Sequence, residues 1–218
     1  PGDYDFEAVY VDAQGKAAKN SFAQWYRKPE KTSPWDDNKI GVYPGEVPAP
    51  WTPLKADADS VGAKTQKYRF ENSLLPSGLA ANGREILSRP CAVNVNGKRL
   101  EDVTVKMLEA KPDYVTLRTS GAADGVTVTA DIRVEYDGMM WVRMELAAKN
   151  REVGGLTVEL PLKKEYAEQV HSCSGDTHRA KFGATGLVPQ DAVWHKNLYL
   201  KPAFWVGNDF AGVSWYAE

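Results

Sequence analysis

The chain has 218 residues, with Lys+Arg 27 against Asp+Glu 29, a formal net charge of −2 and 43% hydrophobic residues. This balance excludes the basic footprint of a nucleic-acid binder and a polybasic membrane anchor. No apolar run approaches the roughly 20 residues of a membrane-spanning helix, and the length suits one large domain or two small ones.

Residues 1–55 are irregular. Phe6, Ala8 and Tyr10 alternate with polar neighbours, which predicts a strand near 5–11 and a turn at Ala13-Gln14-Gly15-Lys16. Phe22, Trp25 and Tyr26 then precede a stretch broken by Pro29, Pro34, Pro44, Pro48, Pro50 and Pro53. Proline at this density fixes φ and removes amide donors, so ladders are not expected there. The stretch 28–56 reads as an ordered surface-wrapping loop, with Trp35, Tyr43 and Trp51 as its buried anchors.

Residues 64–163 carry the clearest pattern. Val93 and Val95 meet Asn96-Gly97, a hairpin signal. Val103, Val105 and Met107, then Val115 and Leu117, mark further strands. In 126–136, Val126, Val128, Ala130, Ile132, Val134 and Tyr136 share one face, and Thr127, Thr129, Asp131, Arg133 and Glu135 the other. Asp137-Gly138 turns the chain into a strand with Met140, Val142, Met144 and Leu146 inward and Trp141, Arg143 and Glu145 outward. Leu156, Val158, Leu160 and Leu162 repeat the pattern. Lys163 to Val170 predicts about two turns of helix. The tail returns to strands at 198–200, Ala203 to Val206 and Gly212 to Ala217, with Asn208-Asp209 between the last two. No βαβ alternation occurs. The expectation is all-β: one large antiparallel β-sandwich over 1–218, with 1–56 as a strand plus a Pro-rich arm.

Chemistry-bearing motifs are sparse. Cys91 and Cys173 are the two cysteines, read as free and partly buried thiols or as one bridge. His171, Cys173, Asp176 and His178 fall close together, but without zinc-ligand spacing, and read as a polar loop. His195 follows Trp194, as a general acid in a sugar cleft or a strand-end residue. The pairs Asp36/Asp37 and Asp57/Asp59 read as solvated loop charges rather than as two carboxyls set across a glycosidic bond. No phosphate loop, nucleophile elbow or CxxC occurs. No catalytic residue, cofactor or metal is therefore assigned. The aromatic surplus, Trp 7 and Tyr 10, carries a different suggestion. Indoles stack on the C–H faces of sugar rings while nearby polar groups bond hydroxyls. Trp35 with Asp36 and Asn38, and also Trp141 and Trp194, are the candidate carbohydrate contacts. Trp141 is the odd one, because alternation points it away from the core.

Several phrases resemble a known family in combination. Pro34 to Gly41 (PWDDNKIG) precedes Val47 to Leu54 (VPAPWTPL). Glu135-Tyr136-Asp137-Gly138 leads into the next strand, and Leu156 to Ala167 ends in LPLKKEYA. Phe204 to Asp209 and Gly212 to Glu218 close the chain. Together, over about 34–218, they resemble the β-sandwich region of bacterial proteins related to glycoside hydrolase family 123. The resemblance implies an exported bacterial protein that handles glycans. It also implies an adjacent TIM-like barrel that holds the catalytic Asp-Glu pair, so no catalytic residue carries over to this chain. The implied function is a non-catalytic accessory domain that supports a catalytic domain and contacts glycan. The abrupt strand-like end at Glu218 and the start at Pro1 suggest a segment of a longer chain. Two alternatives stand beside this reading. One is a sugar enzyme on a supersandwich like that of aldose (galactose) mutarotases, with His171, His178 or His195 as base. The other is a pure scaffold or protein-interaction module.

Overall fold

In a computed structural model the description covers residues 2–11, 14, 16–28, 45–150, 152–173, 185–188 and 203–216. The strands run in chain order as β1 (Gly2–Val11), β2 (Ala17–Lys28), β3 (Lys55–Ala56), β4 (Ser60–Gly62), β5 (Gln66–Arg69) and β6 (Gly78–Ala81). Then come β7 (Arg84–Glu85), β8 (Ala92–Val95), β9 (Lys98–Arg99), β10 (Glu101–Ala110), β11 (Tyr114–Ala123) and β12 (Val126–Glu135). Last are β13 (Met140–Ala148), β14 (Leu156–Glu159), β15 (Gln169–Cys173), β16 (Thr185–Leu187), β17 (Ala203–Gly207) and β18 (Gly212–Tyr216). All described strand pairings are antiparallel, as the sequence predicts. The strands form sheets ordered β1-β2, β3-β4-β5-β6-β7, β14-β8-β9, β10-β11-β12-β13 and β16-β15-β17-β18.

The chain divides into two units, Pro1–Pro44 and Gly45–Glu218. The described part of the first is a long ribbon in which β1 pairs with β2 from Gly2↔Lys28 to Val11↔Ala17. Sequence alternation finds β1 but not β2. The aromatic residues Trp25 and Tyr26 are neighbours in the sequence, and two apolar residues in a row break the period of two by which a strand is recognised.

The second unit is built around one core. On β11 and β12, Val115, Leu117, Val126, Val128, Ala130, Ile132 and Val134 are at most 1% exposed. They share a cluster with Val61, Tyr68, Phe70, Leu74, Leu75, Leu79, Ile86 and Leu87, and with Cys91, Val93, Val95 and Leu100. The inner face of the β10–β13 sheet therefore packs with residues from two other sheets and their turns. Thr119 is the polar member of that face, and its hydroxyl donates to the Leu74 carbonyl at 2.8 Å. Burying a hydroxyl with its partner avoids the cost of leaving it unpaired.

Turn chemistry fixes the registers. Asn82-Gly83, Asn96-Gly97 and Asp124-Gly125 all have positive φ at both positions, the two-residue hairpin geometry that matches strand twist. At Asp137-Gly138 only the glycine does, at φ +88°. A Cβ there would sit 2.5 Å from the Gln66 side chain, and the Gly138 carbonyl accepts the Tyr68 hydroxyl at 2.5 Å. That hairpin is thus locked to β5. Gly78 has a similar role, because the Arg69 guanidinium lies where its Cβ would be. Arg69 pairs with Glu85, whose other oxygen accepts the Leu79 N–H at 2.7 Å.

The helix predicted for 163–170 does not form. Only Lys164–Tyr166 makes a short 3₁₀ turn, and Gln169 and Val170 already belong to β15. The sequence has helix formers, but its ends are held extended. Leu162 bridges Leu87, the Lys163 N–H donates to the Ile86 carbonyl, and Val170 pairs with Val206. Tertiary pairing overrides propensity over so short a segment.

The described part of the Pro-rich stretch, from Gly45, lies along the 112–114 turn. The Gly45 N–H donates to Asp113 Oδ2 at 3.1 Å and the Leu54 N–H to the Pro112 carbonyl at 2.9 Å. Trp51 packs edge-on against Tyr136 with centroids 6.4 Å apart. The strand predicted at 198–200 lies outside the described residues.

Candidate functional site

The solvent side of the β10–β13 sheet is where the alternation leaves an aromatic ring among charges. Register places Arg133 of β12 directly opposite Trp141 of β13, Asp131 opposite Arg143, and Thr129 opposite Glu145. On the other flank of β12, Arg118 of β11 faces Asp131 and Thr116 faces Arg133. Directly opposite residues lie on the same side of an antiparallel pair, so these form one continuous surface. Trp141 is 47% exposed, whereas the described indoles Trp51, Trp205 and Trp215 are half-buried.

Most of the charges on this surface are tied to each other. Arg118 makes two parallel bonds to Asp131, at 2.6 and 2.9 Å. The hydrogen bonds from Arg118 hold the Asp131 carboxyl below the usual carboxylate range. Arg133 Nε donates to Glu135 at 3.0 Å while its guanidinium sits 3.9 Å from the centre of the Tyr114 ring. The Tyr114 hydroxyl donates to Glu109 at 2.8 Å and accepts from Lys111 Nζ at 3.0 Å. Lys111 also bonds Glu109, and this bond, with that from Tyr114, lowers the Glu109 pKa. The result is a flat apolar ring beside guanidinium and carboxylate groups whose positions are set by one another. Such a surface can stack on a ring and bond its hydroxyls. Among the described residues no group of three His, Cys, Asp or Glu is placed to hold a metal ion.

The other sequence candidates fall elsewhere. Trp35, Asp36, Asn38 and Trp194 lie outside the described residues, as do Asp37, Asp176, His178 and His195. Of the candidate bases of a mutarotase-like enzyme, His171 alone is described, half-buried on β15 opposite Trp205. Asp57 accepts the Ser60 hydroxyl at 3.1 Å, a local turn bond. Asp59 lines an open depression with Glu71, Asn72, Val103 and Thr104. Cys91 is free and 2% exposed, and burial pushes its thiol up to about 12. Trp205 lies across the hairpin glycines: a Cβ on Gly212 would meet its Nε1 at 2.6 Å. Its strand neighbour Phe204 stacks on Trp215 with centroids 6.5 Å apart.

Sequence reading singles out Trp141 but not Tyr114 or Arg133 as partners of a site. Alternation assigns Arg133 to the right face. The Tyr114–Arg133 stack depends on the β11–β12 register, which the two-residue turn Asp124-Gly125 sets; that Asp-Gly pair is the signal from which the register could have been read.

None of the curated proteins matches the chain. A family model does, described as the third domain of glycoside hydrolase 123, over residues 54–216. That span contains the β10–β13 sheet and Trp141, together with the phrases from Glu135 onward that carry the sequence resemblance. The chain therefore belongs to the glycoside hydrolase 123 family, with residues 54–216 forming its third domain.

Proposed function

We propose that this chain is a non-catalytic accessory domain of an exported bacterial glycan-processing protein. It supports a companion catalytic domain and touches glycan through the outer face of the β10–β13 sheet. The observation that carries the reading is Trp141, a half-exposed indole opposite Arg133 and next to the Arg118–Asp131–Arg143 row. An indole offers a flat apolar face, and the fixed polar groups beside it supply hydrogen-bond partners for a stacked ring. In the same proposal Trp35, Asp36, Asn38 and Trp194 are further contacts, and 1–56 is an arm of one domain. The architecture is a sandwich: the β10–β13 sheet is one layer, and β3–β7 with β8, β9 and β14 supply the other. The core shared between them supports this reading.

A glycan panel with tryptophan fluorescence as readout tests it. The expected result is a saturable change with one glycan class that Trp141→Ala weakens while the melting temperature stays put. Absence of any response would overturn glycan contact and favour the scaffold reading, in which the indoles serve only packing.

A further inference from the structure

The two edges of the β10–β13 sheet are built differently. β10 pairs with β11 through two register breaks, between Glu101 and Thr104 and between Met107 and Glu109. Asp102 sits at one break with φ 50°, and Glu101, Lys106 and Glu109 are exposed charges. Bulges of this kind twist an edge and stop it from recruiting another strand. β13 has neither a bulge nor a proline, and its register with β12 is unbroken from Val126↔Ala148 to Val134↔Met140. No described strand lies on its other side. Its core-side residues Met140, Val142 and Met144 are only half-buried, and Leu146 is 37% exposed. Met139 and Trp141 are each 47% exposed.

We propose that β13 is a self-association edge: two copies of this chain pair β13 with β13, antiparallel, about a two-fold axis through Met144. The sequence of the strand selects that register. Facing residues of an antiparallel pair lie on the same side of the sheet, so the axis passes through a residue, not between two. Centred on Met144, Arg143 faces Glu145 of the second copy, and the contact occurs twice. On the core side Val142 faces Leu146 and Met144 faces its own copy, while Trp141 faces Ala147. Centring on Arg143 or Glu145 sets like charges opposite each other. Centring on Leu146 sets Arg143 against Lys149, and centring on Val142 leaves Glu145 opposite Met139.

Within one chain Arg143 and Glu145 pair at 2.9 Å with side chains 79% and 64% exposed. An ion pair so open to water contributes little, so exchanging it for the intermolecular pair costs little. The dimer joins two four-stranded sheets into one continuous sheet and covers the apolar edge. It also sets two Trp141 rings on one surface, six residue steps or about 20 Å apart along the strands. The proposal is independent of whether that surface binds glycan.

Sedimentation and light scattering of the full chain across micromolar concentrations test it. The wild type is expected to dimerise, and Arg143→Glu and Glu145→Arg are each expected to weaken dimerisation at least about tenfold. The double variant Arg143→Glu/Glu145→Arg is expected to restore it. A wild type that stays monomeric would overturn the proposal and leave the edge to a different partner. A dimer indifferent to the single changes, or not restored by the double, would overturn it equally. Amide exchange needs no variant: protection across 140–148 is expected to rise with protein concentration, and exchange indifferent to concentration would sink the idea.

Discussion

On β12 the residues facing the core and those facing water alternate one by one and meet opposite demands. Val126, Val128, Ala130, Ile132 and Val134 are at most 1% exposed and lie within the apolar cluster. Thr127, Thr129, Asp131, Arg133 and Glu135 sit between them on the other side, and three of the five are in ion pairs. The same backbone thus carries a stability face and a solvent face, the latter being the one proposed to touch glycan. Changes on the first should alter folding, and changes on the second should alter binding with little effect on folding.

The largest break in that comparison is expected from Ile132→Ala. The side chain is 1% exposed in a cluster drawn from several sheets, so its loss leaves a cavity that the surroundings only partly fill. A cost of about 2–5 kcal/mol is expected in urea unfolding. The same change at its chain neighbour on the other face, Arg133→Ala, is expected to leave the unfolding midpoint much closer to the wild type.

Alkaline pH attacks the buried side without a mutation. Burial pushes the Cys91 thiol to about 12, and burial, then the Asp137 charge, pushes the Tyr68 hydroxyl to about 12. In the unfolded chain they ionise near about 8.5 and 10. For an acid whose pKa is raised on folding, the stabilisation is full below the unfolded value and is lost as pH rises toward the folded one. Stability should therefore fall from about pH 9 upward, by at most about 1.4 kcal/mol per pH unit per group. Cys91→Ala should flatten the first part of that fall in melts run from neutral to strongly alkaline pH. An unchanged slope would show that the thiol is not the group responsible.

Thr119 sharpens the comparison because it is a polar residue on the apolar face. Thr119→Val keeps the shape but strands the Leu74 carbonyl, which now accepts the hydroxyl at 2.8 Å. A loss of about 1–3 kcal/mol is expected by denaturant titration. A neutral result would mean that water reaches Leu74 in the variant.

How much of this was legible in the sequence follows from the range of each interaction. Both faces of β12 and the outward Trp141 are readable, because a period of two is local and Asn96-Gly97 and Asp137-Gly138 announce their turns. β2 is not, since its aromatic residues occupy consecutive positions. The short helix at 163–170 is misread because Leu162 and Val170 are held extended by Leu87 and Val206, residues far away in the chain. Of the site, the indole is read directly from alternation, whereas its setting follows from the Asp124-Gly125 turn, a local signal that alternation alone does not use. The Arg118–Asp131 fork and the Arg133–Tyr114 stack exist only through the β11–β12 register. The candidates Trp35, Asp36, Asn38 and Trp194 fall outside the described residues.

The smallest expected effect lies on the outer face itself. Asp131 is held below the usual carboxylate range by the two hydrogen bonds from Arg118, then by that cation's charge and that of Arg143. A carboxylate with a depressed pKa stabilises the fold above its unfolded value, about 3.9, and loses that contribution as pH falls through the lower folded value. The pair is open to solvent, with side chains 54% and 42% exposed, so water and salt screen most of it. Asp131→Asn should therefore lower the melting temperature only slightly at neutral pH, less in high salt, and not at all in strong acid, where the wild-type carboxylate is protonated. The larger consequence should be in binding. The amide introduced by Asp131→Asn has a single acceptor oxygen and cannot hold the guanidinium of Arg118 by two, so the row beside Trp141 would lose its fixed geometry while the core beneath stayed intact. A variant that melts like the wild type yet quenches less with glycan would separate the two faces. A variant that melts well below it at neutral pH would show that the outer lattice carries stability after all.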